Sequence, residues 1–287
     1  MLKVAVTVGC ALALALAAAI VFRLRDTQRT PSPLLGDEPF RERLATTIGR
    51  TGGMLVGAYL AGVLTVGPGV RLMMRLLAVT SSDDVQGQLT EAGEVVGQVS
   101  FGGSMFLIVI VGIGASLAGL ALFSVLRRWL PRRSVVAGLT GAAIGSGLLV
   151  RPVGLISSTN RDFELVAPAA LAVALCLATL VLFGATFGVL VDHLAPRWPV
   201  PGWNPRGVLS LAPFAMLVPA PPFFAVTVAA VLTSTIASKL RSPATPKGTG
   251  HQATEGAEIR WGRAIVTGLG VVGSLSLVTA AGQVLAL

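Results

Sequence analysis

Ser104 to Leu126 reads SMFLIVIVGIGASLAGLALFSVL, and no charged residue interrupts it. A helix of about 20 apolar residues is long enough to cross a hydrocarbon core about 30 Å thick. Lipid offers the backbone no hydrogen-bond partners, so such a run has to be a helix. Its apolar residues are continuous rather than alternating, which excludes a strand of a membrane β-barrel. Directly after it comes Arg127-Arg128-Trp129-Leu130-Pro131-Arg132-Arg133. Four arginines, an interfacial tryptophan and a helix-breaking proline make this a cytoplasmic turn.

Further apolar windows flank this one. Val135 to Val150 reads as the next span, with Gly141 and Gly145 four apart. Upstream, Gly52 to Val70 is a span in which Gly53 with Gly57, and Ala58 with Gly62, form small-xxx-small pairs. That spacing lets a neighbouring backbone approach closely. Pro68 is expected to kink or end this helix. Val4 to Phe22 is a first span or signal anchor. Small residues at Ala17 to Ala19 leave signal-peptide cleavage open. Leu165 to Val191 and Ala264 to Leu285 complete the simple spans. Gly207 to Ser238 is too long for one span, short for two, and broken by Pro213 and Pro219-Ala220-Pro221-Pro222. It reads as a helical hairpin or a re-entrant pair.

The fold class that follows is an all-α membrane protein. It is a polytopic helical bundle of about eight transmembrane segments, or six plus a re-entrant pair. The organisation is a first span (1–22), a linker (23–50), a core of four spans (51–195), a proline-broken helical hairpin (196–240), a disordered linker (241–260) and a last span (261–287). The second half of the first linker, from about Asp37, reads as an amphipathic helix on the membrane.

Composition agrees. Hydrophobic residues make up 53% of the 287 and charged residues 12%, against roughly 25% charged in soluble chains. The net charge of +9 does not point to nucleic acid, because seventeen of the twenty-two basic residues fall in 23–50, 127–134, 192–206 and 239–263. Positive-inside placement explains that bias. It puts those segments in the cytoplasm and both termini outside, in a bacterial plasma membrane. Cys10 and Cys176 lie in apolar windows without a CxxC or Cys/His cluster, so neither a disulfide framework nor a zinc site is indicated, and no cofactor is expected.

Two polar segments fall on the outer side. Arg71 to Gly103 reads RLMMRLLAVTSSDDVQGQLTEAGEVVGQVSFGG. Arg71 and Arg75 are four apart on one helix face, in an amphipathic extension at the interface. There they could hold a phosphate or carboxylate or snorkel to headgroups. Val85 to Leu89 and Val95 to Val99 are β-capable runs about a Gly-containing turn, which reads as a short extracytoplasmic β-hairpin. Thr90 would then lie opposite Val95, and Leu89 opposite Val96. Asp83, Asp84, Glu91 and Glu94 are candidate ion-pair partners for the arginines, and Asp83-Asp84 is a candidate metal pair. The second segment, Arg151 to Glu164, gathers Asn160, Arg161 and Asp162 beside Phe163. If the two segments meet, Arg71, Arg75, Glu91, Asn160 and Asp162 form one outer pocket. No ionisable residue is expected well inside a span.

The runs RLMMRLLAVTS, TEAGEVVGQVSFGG and NRDFELVAPAALAV resemble an uncharacterised family of actinobacterial multi-pass membrane proteins, over roughly residues 50 to 195. That resemblance implies a membrane bundle, and with no activity assigned to the family it adds no mechanism.

Three functional classes stay open. The first is a non-enzymatic membrane protein whose outer surface binds a partner, either another membrane protein or an envelope component. The second is a small-solute transporter or channel, for which the proline-broken segment speaks. The third is an enzyme on a lipid or polyprenyl-phosphate substrate, against which stands the lack of HExxH, GxSxG or a P-loop. The bilayer is a partner in every case, and Gly-rich helix faces allow an oligomer.

Overall fold

The computed structural model describes residues 2–28, 39–82, 85–89, 95–96, 98, 100–153, 168–202, 204–215, 217 and 249–286. Its helices are α1 (Leu2–Leu24), α2 (Phe40–Ala61), α3 (Gly67–Thr80), α4 (Phe101–Met105), α5 (Gly112–Leu126), α6 (Ser134–Val153), α7 (Ala169–Leu194), α8 (Pro205–Leu209), α9 (Ala212–Ala215) and α10 (Thr249–Leu285). Single π-helical segments, Gly62–Val66 and Phe106–Val111, join α2 to α3 and α4 to α5.

Among the described residues five helices are long and apolar enough to cross a bilayer: Lys3–Leu24, Phe40–Thr80, Phe101–Leu126, Ala169–Leu194 and Trp261–Leu285. In α6, whose helix runs from Ser134 to Val153, the stretch Ser134–Leu148 is a shorter apolar helix. Among the described residues the expected eight segments are not all found. Most of the predicted pair at 207–238 lies outside the described residues, apart from the short α8, α9 and Leu217.

Three further expectations change. The helix does not stop at Pro68. The amide of Gly67 donates to Gly62 O across the π turn, and the Thr65 hydroxyl donates to Ala61 O at 2.6 Å. A π turn is a common way for a helix to absorb a local fault, so Phe40–Thr80 runs on past a proline that lacks its own N–H. Among the described residues the β-hairpin is not formed as a sheet. The described part of 85–98 holds one isolated bridge, Leu89 to Val95, with Val96 N donating to Gln88 O at 2.9 Å. That pairing is one residue out of the expected register, and so short a ribbon is marginal alone. The last helix starts at Thr249, inside the stretch read as a disordered linker.

Local chemistry sets the helix ends. Ser100 caps α4, its hydroxyl oxygen accepting from Gly103 N at 3.0 Å. Pro39 and Pro168, both extended, precede α2 and α7. At the end of α3 the Ser81 hydroxyl donates to Leu77 O at 2.7 Å, and the Gln86 amide donates to Ala78 O. These bonds satisfy carbonyls that the helix leaves open and hold Ser81 and Gln86 against the end of α3.

The core forms around α7, which packs on α2, α3, α6 and α1. Small residues set those distances. A Cβ on Gly53 would lie 2.6 Å from Leu194 O, and one on Gly57 would lie 2.8 Å from the Leu190 carbonyl. Around these contacts sit Leu55, Tyr59, Leu120 and Leu190. Phe123 meets Phe187 edge-on at 5.5 Å, a favoured aromatic geometry. A second cluster, Val173, Leu277, Ala281 and Val284, joins α7 to α10.

Three contacts gather the basic segments at one end. Ser134 N donates to Thr27 O at 3.3 Å beside a Gln28–Arg133 bridge. The Arg127 guanidinium donates to Met54 Sδ at 3.4 Å. Gly53 abuts Leu194. The start of α1 and the end of α3 lie toward the opposite end.

Candidate functional site

Arg71 is the side chain whose position departs furthest from its sequence reading. Because the helix continues to Thr80, Arg71 is not at an interfacial end. It is 7% exposed, in the contact between α3 and α1, and its charge reaches the Cys10 thiol. Cys10 is eight residues into α1, about 12 Å along the axis. The packing on α7 gives a similar depth. Gly69 meets the Thr179 side chain, with a Cβ-to-Cγ2 distance of 2.6 Å, and Thr179 is ten residues into α7, about 15 Å. Among the described residues no hydrogen bond or ion pair reaches the Arg71 guanidinium. Arg75, one turn nearer the helix end, is half-buried.

The other predicted pocket residues, Glu91, Asn160 and Asp162, lie outside the described residues, as do Asp83 and Asp84. Among the described residues no three His, Cys, Asp or Glu side chains come together.

At the basic end the structure pairs charges that the sequence reading left apart. Asp192, 4% exposed, acts electrostatically on Arg127. Burial pushes Arg127 down from the ordinary guanidinium value, and the Asp192 charge pushes it back up. A carboxylate in the last turn of α7 opposes the helix dipole, so a nearby cation offsets an unfavourable placement. That conflict was the available signal in the sequence.

The third feature is a cavity of about 350 Å³ between α3, α5, α6 and α7. Val66, Val70 and Met73 line it from one face of the long helix. Arg71 and Arg75 fall on the opposite side, since 100° per residue separates the two sets. On α6 the lining residues include Gly138, Gly141, Ala142 and Gly145, and on α7 they include Thr179, Phe183 and Gly184. Gly141 meets nothing within 4 Å, so it makes space rather than a tight helix contact, whereas a Cβ on Gly145 would lie 3.1 Å from Leu122 Cδ2. The two hydroxyls in the wall are engaged locally. Ser146 donates to Ala142 O at 2.6 Å and Thr179 to Leu175 O at 2.8 Å.

The space is partly open to the outside of the bundle, and its wall is almost wholly apolar. Water is a poor filler, because a buried water needs two to four polar partners. Compared with family models, with curated proteins and with solved structures, the chain matches none of them.

Proposed function

We propose that this chain is a multi-pass integral membrane protein of the bacterial plasma membrane that works by binding rather than by catalysis. Its basic end faces the cytoplasm, as the positive-inside bias favours. Its outer half engages an anionic envelope component, with Arg71 and Arg75 as the anion-facing residues and Glu91, Asn160 and Asp162 as the polar rim.

One observation carries this reading: Arg71, a residue more than nine-tenths buried and about 12 Å inside the bundle, has no hydrogen bond or ion pair among the described residues. An arginine at the middle of a membrane helix costs roughly 2.5–3.5 kcal/mol on insertion scales. Such residues earn their place by facing a counter-ion, a solute path or a ligand. Arginine binds phosphate and carboxylate through paired N–H donors, and a second arginine one turn away extends the positive face outward.

Retention of phosphatidylglycerol by the purified protein, read by native mass spectrometry, tests the proposal. Wild type should hold the lipid, and Arg71→Gln with Arg75→Gln should hold it about tenfold less, the equivalent of one charge-assisted hydrogen bond. Equal retention sinks it. If equal retention came with a lower melting temperature for Arg71→Gln alone, Arg71 would instead be a partner for one of the chain's own acids, Asp83, Asp84, Glu91 or Asp162.

A further inference from the structure

We propose that the cavity between α3, α5, α6 and α7 is a binding slot for one fatty acyl chain of a bilayer phospholipid, which enters sideways from the membrane. The slot is elongated. Its lining runs from Gly138 to Leu148 on α6, about 15 Å at 1.5 Å per residue. A sphere of the same 350 Å³ would be only about 9 Å across. An alkyl chain is long, narrow and without polar groups, and the wall matches it on each count.

Ser146 and Thr179 donate to their own helices, so the interior makes no demand for a polar ligand. An apolar cavity of about 150 Å³ already takes up benzene, and this one is more than twice that size. Leu148 is 62% exposed and marks an open end on the lipid-facing side of α6. Around a helix bundle in a membrane the most abundant apolar molecules are acyl chains, which fixes the occupant. The inference needs the membrane reading but not the anion reading, since the slot and Arg71 are on opposite faces of the long helix.

The test uses full-length protein in phosphatidylethanolamine/phosphatidylglycerol vesicles doped with a phospholipid carrying a diazirine near the end of one acyl chain. After irradiation, labelled residues are mapped by peptide mass spectrometry. Wild type should carry label on cavity residues of α5 and α6, such as Ala118, Leu122 and Ala142, as well as on the lipid-facing residues of α1. Gly141→Leu places a side chain in the slot where the glycine meets nothing. Cavity labelling should then fall about tenfold, the loss of roughly two buried methylenes, while α1 labelling stays constant. Gly114→Leu, also at an unobstructed position but outside the lining, should leave both unchanged. Absence of cavity label in wild type overturns the proposal whatever the variants do, as does undiminished labelling in a folded Gly141→Leu. Cavity labelling by a diazirine polyprenyl phosphate but not by the phospholipid would also overturn it, in favour of an isoprenoid.

Discussion

Gly57 and Gly114 are both glycines in apolar helices, and composition makes them equivalent. A Cβ on Gly57 would press 2.8 Å against the Leu190 carbonyl, whereas one on Gly114 meets nothing within 4 Å. Overpacking a close helix contact typically costs about 1–3 kcal/mol, and replacing glycine in an open helix position costs nothing in space and improves propensity. Gly57→Leu should therefore lower the melting temperature of the detergent-purified protein by several degrees, and Gly114→Leu should not. Equal melting curves would mean that α2 and α7 do not touch at Gly57. Arg71 gives the same lesson for charge. Its position in the sequence, after about 19 apolar residues, places it at an interface. Its position in space, beside Cys10 and near the level of Thr179, places it among apolar helices.

At the scale of elements, the long helix from Phe40 to Thr80 decides where both arginines go. A proline usually closes a helix in water. Here the π turn at Gly62–Val66 redirects the Gly67 amide to Gly62 O, and tight packing keeps the helix going. Gly62 lies against Gly112 and Gly67 against Ile108. Hydrogen exchange should find amides from Val70 to Leu77 protected as strongly as those from Leu55 to Ala61. Fast exchange beginning just after Pro68 would restore the shorter span and return Arg71 to the interface. The 85–98 segment errs the other way. Its alternation and turn residues predict a hairpin, whereas among the described residues a single bridge forms, at Leu89–Val95. One bridge supplies too few hydrogen bonds to make a sheet.

For the whole molecule, the question is which end faces the cytoplasm. The α1 exit, the α5–α6 turn and the end of α7 share one end through the Gln28–Arg133, Arg127–Met54 and Gly53–Leu194 contacts. These are segments in which arginine is concentrated. With Cys10 and Cys176 replaced, a single cysteine at Ala92 should react with an impermeant maleimide in intact cells. A single cysteine at Arg132 should react only after the cells are opened. The reverse pattern would invert the protein and move the Arg71 end inward, and the envelope-facing function would fall with it.

Some properties of this protein are local and can be read along the chain. The hydrophobic runs dictate helices, because a backbone in lipid has only itself to bond to. Ser100 marks a helix start through its own hydroxyl, and the basic turn at 127–133 marks a boundary through hydration of its charges. The outer pocket was legible only as a set of residue types, and of its members Arg71 and Arg75 lie among the described residues. What tertiary structure alone decided depends on what each residue meets across a helix contact. It buried Arg71 against α1, brought Asp192 within electrostatic reach of Arg127, and left Gly141 in the open wall of a cavity while Gly145 faces Leu122. A glycine removes volume wherever it stands, and only the neighbouring helix determines whether that volume is filled by backbone or left open for a ligand.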